Sequence, residues 1–512
     1  MHECFRRQRA ILAILAILTI ISPLPLTAQN PSDPVIKSAD KFDGRRPLAR
    51  ELEMNVPEGF TFVAVGDCII SRPLSQYAAG DPAFARVLQI LKRADVTYGN
   101  METSILDLRR FAGFPSPGPD DMSLVAQPAV AKDLAAMGFD LLSRANNHAL
   151  DWGVEGMRET SRLLDESGLS YAGIGETEGL ARSAGYFESP KGRIALVSMA
   201  STFRPGSEAL ATHGAAPGRP GISALAVKKT TVVPRDILKD LEVLRTKLYP
   251  GWQKDDAKLL TSSTPADAPE ELSLFGQKFR VGKIFGYQYA MDPNDLADIL
   301  RGVRQGKQHS DFLMVSIHSH EPANSSAPEP KNDFLDVPAD FVQDLAHQTI
   351  DSGADTFIAT GIHHLGPIEI YKGRPIFYGM GNFFWGDIQE PISADIYQQY
   401  DKALLGAFDD SGKATDADLT NLMNASSFAG NPPFDAVVAE SRFDHGKVSE
   451  IRLYPIDLGY GKKLTESGLP RLASADQGKR ILQRIQELSA KYGTHIEIET
   501  LPPNSLVGVI RP

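Results

Sequence analysis

Short apolar segments that alternate with helical segments constrain the fold of this chain more than any other feature. GFTFVAVGDCII (59–70), GRIALVSMAS (192–201), DFLMVSIHSHEP (311–322) and ADTFIATGIHH (354–364) each begin with a strand-like apolar run. Helical spacing of apolar residues is found between such runs, as in DPAFARVLQILKRA (81–94) and VPADFVQDLAHQTIDSG (337–353). Alternation of this kind is typical of α/β proteins, so we expect a layered α/β core.

The first 28 residues have the pattern of a secretory signal peptide. Arg6, Arg7 and Arg9 precede an apolar run, AILAILAILTII, and a proline-containing segment that ends at Ala28. The run is shorter than the roughly 20 residues that a bilayer span needs. We therefore predict a signal peptide at 1–28, a linker or N-terminal arm at 29–57, and an exported protein that is periplasmic or extracellular. The alternative is an uncleaved membrane anchor.

Charge and cysteine content limit the classes of partner and of stabilising cross-link. The formal net charge is −11, and an acidic protein lacks the basic surface that binds nucleic acid, so we expect no nucleic-acid partner. The two cysteines are Cys4 and Cys68, and Cys4 would leave with the signal peptide. We therefore expect no disulfide within the mature chain.

Composition also divides the rest of the chain. We predict one α/β domain at 58–400, with an insertion at about 205–310 that is rich in Pro, Gly and Ser and forms a lid or side wall. Residues 401–512 are expected to complete the same domain. They contain a polar loop, a hairpin that turns at Asp444, His445 and Gly446, and an amphipathic helix near the end.

Polar side chains follow five of the apolar runs, at the points where strands should end. They are Asp67, Glu102, Asn147 with His148, His318 with His320, and His363 with His364. Ligands of open α/β sheets bind at the carboxyl ends of strands, so these side chains should converge. Carboxylate, amide and imidazole donors together suit one or two divalent ions such as Mn, Zn or Fe. Singly, each has an ordinary explanation, and Asp67 alone would be expected to cap the following segment.

Five segments in the same order resemble the CapA family, which is linked to the synthesis of poly-γ-glutamate capsules. The segments are VAVGD, GNMETSI, ANNHALDWG, VSIHSHE and GIHHLGPIEIYKGRPIFYGMGNFFW. That family is similar to the calcineurin-like metallophosphoesterases. The resemblance therefore implies a four-layer α/β/β/α sandwich, with an inserted segment and a C-terminal hairpin plus helix.

The resemblance also implies roles for particular residues. The metal ligands would be Asp67, Glu102, Asn147, His318 and His363, and His148 would be the catalytic histidine. Substrate contacts, or support for the ligands, would come from Asn100, Arg144, Asn146, His320 and His364. The last block departs from the family pattern, because Thr360 stands where a histidine is usual and Ile362 where a proline is usual. One ligand is therefore expected to be missing unless His320 or His364 replaces it.

Two functions of different classes follow from these observations. The first is a metal-dependent hydrolase or transferase that acts on a phosphoester or on a poly-γ-glutamate-type polymer, alongside membrane-bound capsule synthesis machinery. The second is a non-catalytic export or tethering component that binds an anionic polymer, which Thr360 favours. Binding of such a polymer by an acidic protein requires local positive charge, which Arg72, Arg144 and Arg204 would supply.

Overall fold

The computed structural model describes most of the chain after residue 48. The described residues are 49–116, 123–248, 270–283, 285–321, 323, 337–385, 397, 398, 400, 406, 411–427, 434–502 and 505–512. The predicted signal peptide, residues 29–48 of the predicted arm and part of the polar segment 401–432 lie outside them. Among the described residues, no helix is both long enough and apolar enough to cross a membrane.

Two large β-sheets lie at the centre of the fold. In the described residues the first has ten strands: β1 Phe60–Cys68, β2 Val96–Met101, β5 Leu141–Ser143, β6 Ser170–Ala172, β19 Asn382–Phe384, β20 Asp435–Asp444, β21 Lys447–Asp457, β22 Arg471–Leu472, β23 Glu497–Leu501 and β24 Ser505–Ile510. Their order is β23-β24-β21-β20-β1-β2-β5-β6, with β19 beside β1 and β22 beside β21. The neighbouring strands β1, β2, β5 and β6 run parallel to one another. The pairs β1–β20, β20–β21, β21–β24 and β23–β24 are antiparallel.

The second sheet, unlike the mixed first sheet, is mostly parallel. Its strands are β8 Gly185–Ser189, β9 Gly192–Ala200, β15 Phe312–His318, β16 Thr356–Thr360, β17 Ile368–Tyr371 and β18 Arg374–Phe377. They are ordered β17-β18-β16-β15-β9-β8, and only the outermost pairs are antiparallel in this part of the structure.

Smaller sheets complete the strand inventory of the described ranges. A four-stranded sheet, ordered β12-β13-β11-β14, contains β11 Val227–Val233, β12 Glu271–Leu274, β13 Gln277–Val281 and β14 Gly286–Met291. Two short pairs are formed by β3 Ser104–Ile105 with β4 Val125–Ala126, and by β7 Ile174–Gly175 with β10 Gly221–Ile222.

Local sequence signals mark the ends of some of the helices. They are α1 Pro82–Arg93, α2 Ala129–Met137, α3 Gly153–Glu166, α4 Glu178–Ala181, α5 Arg235–Leu248, α6 Pro293–Gln308, α7 Asp340–Asp351, α8 Asp416–Ser427 and α9 Ala475–Ala490, with 3₁₀ turns at Ala49–Leu52, Ser75–Ala79 and Ser411–Lys413. Asp81 caps α1 by accepting from the backbone of Phe84 at 3.1 Å, and Pro82 occupies the first helical position. Gly138 ends α2 in the left-handed conformation.

Aromatic side chains fill the space between the two large sheets. The ring of Phe312 lies 5.2 Å from that of Phe60, 5.8 Å from that of Phe62 and 5.0 Å from that of Phe443. Because side chains alternate along a strand, Val63, which follows Phe62 in β1, faces the opposite layer, where it packs with helices α1 to α3. Helices α6 and α7 cover the outer face of the second sheet. The predicted four-layer α/β/β/α sandwich is therefore confirmed.

The C-terminal segments join the first sheet directly. Strand β20 pairs antiparallel with β1, so that Phe60 lies opposite Phe443. Strands β20 and β21 form the expected hairpin, and His445 and Gly446 turn it with positive φ angles. Helix α9 packs beside β21 and β24 through apolar residues of the core between the sheets.

The segment predicted as an insertion, 205–310, contains two different parts. The four-stranded sheet packs with α5 around Val233, Leu238 and Leu272. Helix α6 instead buries Ile299 and Val303 against the second large sheet. The role of the four-stranded part as a lid or side wall, and the domain boundaries, stay predictions.

Replacement of Phe312 by alanine should destabilise the protein by about 3–5 kcal/mol, because it leaves a cavity between the sheets. Urea denaturation would measure this loss. The matched control is Phe285→Ala, because Phe285 is 57% exposed and its removal should change the free energy of unfolding little. Equal losses in the two variants would contradict the described core.

Candidate metal centre

The strand registers bring the predicted site residues to one edge of the sandwich. Asp67, near the end of β1, is aligned with Asn100 of β2 and with Asn382 of β19. In the second sheet, His318 at the end of β15 is aligned with Thr360 at the end of β16. Since these strands are parallel within each sheet, their carboxyl ends lie together, as expected for a ligand site.

Asp67 links the two sheets. Its Oδ1 accepts a hydrogen bond from Asn100 Nδ2 at 2.8 Å and lies 3.9 Å from His318 Nδ1. Its Oδ2 accepts from the backbone N–H of Gly361 at 3.0 Å and lies 3.3 Å from His363 Nδ1. A side chain at Gly361 would collide with His320 and with the backbone of Ser319, so only glycine allows this approach.

Two overlapping groups of potential metal ligands share Glu102. One consists of Asp67, Glu102 and His318, and the other of Glu102, His320 and His363. Within each group the ligand atoms lie within 4.8 Å of one another. The Nε2 atoms of His318 and His320 are 2.9 Å apart, and His318 Nε2 is 3.5 Å from a Glu102 carboxylate oxygen. A shared carboxylate between two groups is the arrangement that can bridge two cations.

Burial gives His318 the protonation state of a metal ligand. The pKa of His318 lies well below its ordinary value because of burial first and the neighbouring charge of His320 second. Burial alone would raise the pKa of Asp67, but the hydrogen bond and charge of His363 and the charge of His318 outweigh it, and the pKa lies below its ordinary value. A neutral imidazole beside an ionised carboxylate is what a divalent cation requires.

The loop ANNHALDWG is tied to the cluster through Asn146. Its Nδ2 donates to Asn100 Oδ1 at 3.3 Å and to the Met101 carbonyl at 2.9 Å, and its Oδ1 accepts from the His148 backbone at 3.1 Å. Asn147 differs, because its Oδ1 is buried and has no hydrogen-bond partner among the described residues. An amide oxygen left buried in this way costs stability unless a ligand satisfies it. The residues present therefore fit a bound cation.

His148 is held by a carboxylate that the sequence did not single out. Its Nδ1 lies 2.8 Å from Asp151 Oδ2, which also accepts from the Leu124 backbone at 2.6 Å. The other oxygen of Asp151 lies 3.4 Å from Arg204 Nη2. Asp151 is fully buried, so this contact fixes the orientation of the imidazole.

His363 is held in an uncommon backbone conformation. Its φ angle is +57°, which non-glycine residues adopt rarely, and its Nδ1 lies 2.8 Å from Asn382 Oδ1. The Trp385 ring lies 4.9 Å from the His363 ring. These contacts bring His363 to the second donor group despite the backbone strain.

The structure describes Thr360, which stands where the family pattern has a histidine, and the two histidines that were expected to replace that ligand. Thr360 is buried, and its hydroxyl lies 3.3 Å from His318 Nδ1. His320 belongs to the second donor group, whereas His364 belongs to neither. Burial and the charge of His363 lower the pKa of His364 to about 4. Of the two proposed replacements, His320 is therefore the one placed with the other donors.

Arg144 lies in a different environment from the donors. Its side chain is buried, and its guanidinium carbon lies 5.8 Å from the centre of the Tyr171 ring. Its Nη atoms have no hydrogen-bond partner in the described ranges, and burial lowers its pKa to about 10. A substrate contact by Arg144 stays a prediction.

Sequence reasoning missed Asp151 and Asn382. Asp151 follows His148 by three residues in NNHALDWG, a spacing that brings two side chains together in a turn. Asn382 interrupts the apolar run GMGNFFW, so it shows the same signal that marked the other strand ends. Both residues could therefore have been predicted from the sequence, Asp151 from its spacing to His148 and Asn382 from its place in an apolar run.

The sequence comparison identifies the family. The profile described as "Bacterial capsule synthesis protein PGA_cap" matches residues 61–386, which include the cluster from Asp67 to Asn382. The chain belongs to this family. The predicted resemblance to CapA proteins is thus confirmed, and the PGA_cap match agrees with the metallophosphoesterase-like sandwich described above.

Relatives of this PGA_cap protein extend beyond the matched region. The chain is 45% identical over 480 residues to the uncharacterized protein y4sH of Sinorhizobium fredii, covering 92% of this chain and 96% of the relative. It is 22% identical to the PGA biosynthesis protein CapA of Bacillus subtilis, over 62% of this chain and 61% of that protein. The capsule biosynthesis protein CapA of Bacillus anthracis is also 22% identical, over 64% and 60%.

Asn147→Ala and Asn146→Ala form a matched pair that tests cation binding by thermal unfolding with and without Mn²⁺. Asn146→Ala should cost about 1–3 kcal/mol in both conditions, because it breaks hydrogen bonds that do not involve a cation. Asn147→Ala should unfold like the parent without Mn²⁺ but lose much of the stabilisation that Mn²⁺ gives. An unchanged response to Mn²⁺ in Asn147→Ala would exclude this amide as a ligand.

Proposed function

We propose that this chain is an exported, metal-dependent hydrolase or transferase of capsule synthesis. Its substrate would be a phosphoester or a poly-γ-glutamate-type polymer. The observation that carries the proposal is the overlap of two donor groups at Glu102, beside a histidine oriented by a buried carboxylate. The names of the Bacillus relatives, which refer to PGA and capsule biosynthesis, support the substrate class.

Two sets of residues would hold the cations. Asp67, Glu102 and His318 would form one set, and Glu102, His320 and His363 would form the other. The buried amide oxygen of Asn147 would add a ligand to one of them. A divalent cation bound there would supply a Lewis acid that activates water and stabilises negative charge on the group under attack.

His148 would move the proton. With Nδ1–H donated to Asp151, the Nε2–H of the imidazolium form would donate its proton to the leaving group, and the neutral imidazole left behind would regain a proton from solvent. His148 is close enough to the donors for its charge to lower the pKa of His318. Asp151 would hold the imidazole in this orientation, and Arg204 would keep the Asp151 carboxylate in place.

A non-catalytic polymer-binding role is the second candidate. It is favoured by Thr360, whose hydroxyl lies beside His318 where the family pattern has an imidazole. Loss of one imidazole weakens a metal site, and a protein that binds polymer without cleaving it needs no complete ligand set. The presence of His320 in the second donor group argues for the enzyme, because its imidazole would replace the one that is lost at Thr360.

Hydrolysis of bis(4-nitrophenyl) phosphate and of a γ-glutamyl oligomer, with Mn²⁺ or Zn²⁺ added, tests the proposal. His148→Ala should lower kcat by roughly 10²–10⁴-fold on whichever substrate is cleaved, because proton donation is lost. Asp151→Asn should lower kcat with the metal content unchanged, because the contacts of Asp151 are with His148, Leu124 and Arg204 and not with the donor groups.

The control is Asp351→Asn, which removes one charge of an exposed ion pair with Lys372 and should leave kcat unchanged. A metal-loaded protein that cleaves neither substrate but binds the polymer would favour the second candidate. Turnover that survives in His148→Ala would remove this histidine from the mechanism.

A further inference from the structure

The inserted four-stranded sheet differs in charge from the chain as a whole. Residues 227–291, which contain this sheet, carry 11 Lys and Arg against eight Asp and Glu, whereas the whole chain has a formal net charge of −11. An acidic protein repels a polyanion unless a local group of cations offsets the repulsion. Positive charge concentrated in one segment of an acidic chain therefore indicates where a polyanion could bind.

Two of the three arginines that the sequence suggested for this role are poorly accessible. Arg144 is buried. The side chain of Arg204 is 12% exposed and lies 3.4 Å from the carboxylate of Asp151. Burial keeps both charges away from a polymer in solvent, so binding of an anionic polymer requires other cations at the surface.

Helix α5 covers one face of the inserted sheet. Phe279 and Val281 of β13 pack towards α5 on that face. Because side chains alternate along a strand, Lys278 and Arg280 point to the opposite face. Arg280 Nη1 donates a hydrogen bond to Gln288 Oε1 of β14 at 3.1 Å, across the intervening strand β11, so both side chains lie on this second face.

The strand register defines the rest of this second face, which we call the open face. Thr230 of β11 is aligned with Lys278 of β13 and with Gln288 of β14. Glu271 of β12 is aligned with Arg280 of β13. Aligned residues of neighbouring strands point to the same face. The open face therefore carries Lys228, Thr230, Glu271, Lys278, Arg280 and Gln288, of which Lys228, Arg280 and Gln288 are exposed.

Three cations against one carboxylate leave the open face positively charged. Glu271 pairs with Lys278 and lies 3.8 Å from Arg280 Nε. The Arg280 side chain is 50% exposed, and ion pairs at such exposure contribute little to stability, so a polymer carboxylate can compete with Glu271 for Arg280. Thr230 and Gln288 add hydrogen-bonding groups that suit the amides of a polymer backbone.

Strand β14 places the inserted sheet beside the loop that carries His320. The ring of Tyr289 in β14 lies 5.5 Å from that of Phe341 at the start of α7. Burial raises the pKa of Tyr289, and the nearby charge of Glu321 raises it further. Glu321 directly follows His320, which belongs to the second donor group. A long chain could therefore contact both the inserted sheet and the donor cluster.

We propose that the open face binds a linear polymer that carries a carboxylate on every unit. This proposal rests on the polymer substrate proposed above, and it assigns the surface that would hold the polymer during its reaction. An exposed sheet face suits an extended chain, whereas a small molecule requires a concave pocket. The carboxylates would pair with the cations of the open face, and the rest of the acidic protein would repel them.

The test is the binding of a fluorescent γ-linked glutamate decamer to the full purified chain, measured by anisotropy. A chelator is present, so that the result does not depend on a metal. The parent should bind the decamer at low ionic strength, and added salt should weaken binding because it screens exposed charges. A parent chain that does not bind the decamer at low ionic strength would overturn the proposal.

Charge changes on the open face should shift the affinity in opposite directions. Glu271→Gln should strengthen binding by roughly two- to fivefold, because it removes a repulsive charge, and a folding defect would not produce tighter binding. Arg280 is aligned with Val232, four residues beyond Lys228, so these two cations are about 13 Å apart along the strands. Their contributions should add, and Lys228→Gln combined with Arg280→Gln should weaken binding by roughly 4- to 25-fold.

The matched control is Lys239→Gln combined with Lys247→Gln. It removes the same charge from α5, which lies on the other side of the sheet, and should change the affinity by less than about twofold. Equal weakening by the control and by the open-face variant would overturn the proposal, as would unchanged or weaker binding by Glu271→Gln.

Vesicles of phosphatidylglycerol test whether the basic segment meets a membrane instead. Binding to these vesicles in preference to the decamer would overturn the polymer assignment. Failure of this proposal is distinguishable from failure of the proposed function. Binding of the decamer without cleavage would uphold the open face and remove the catalysis, and cleavage with the parent KM in the variant that lacks Lys228 and Arg280 would do the reverse.

Discussion

Burial of two carboxylates beside three imidazoles is the constraint on which the site depends. Asp67 and Glu102 are each about 1% exposed, and His318 is fully buried. Carboxylates removed from water are costly unless opposite charge compensates them. The hydrogen bonds that Asp67 accepts from Asn100 and Gly361 supply part of this compensation. A cation shared through Glu102 would supply the rest, which explains why donors from both sheets point to one place.

Much of the fold could be predicted from the sequence, because the patterns that mark strands and helices are local. Apolar runs such as GRIALVSMAS and helical spacing such as PAVAKDLAAMG lead directly to β9 and α2. The pairing of β20 with β1 could not be predicted in the same way, because it joins residues far apart in the sequence. Nor does periodicity show that α6 covers the second sheet while the strands before it form a sheet of their own.

The donors were predictable from their positions, whereas their partners were not. Each donor follows an apolar run, but the sharing of Glu102 between two groups depends on how the two sheets face each other. Arg144 shows the same limit, since its neighbour in sequence, Ser143, faces the second sheet while Arg144 lies near Tyr171. Alternation of side chains along the strand places them on opposite faces, which composition alone does not reveal.

The most direct test of the shared carboxylate is the metal content of the purified chain, measured by inductively coupled plasma mass spectrometry for the parent, Glu102→Ala and His320→Ala. Glu102 belongs to both donor groups, so its loss should empty the chain of transition metal. His320 belongs to one group, so its loss should leave the other group loaded. A parent chain that binds no transition metal, or a Glu102→Ala variant that binds as much as the parent, would contradict this account.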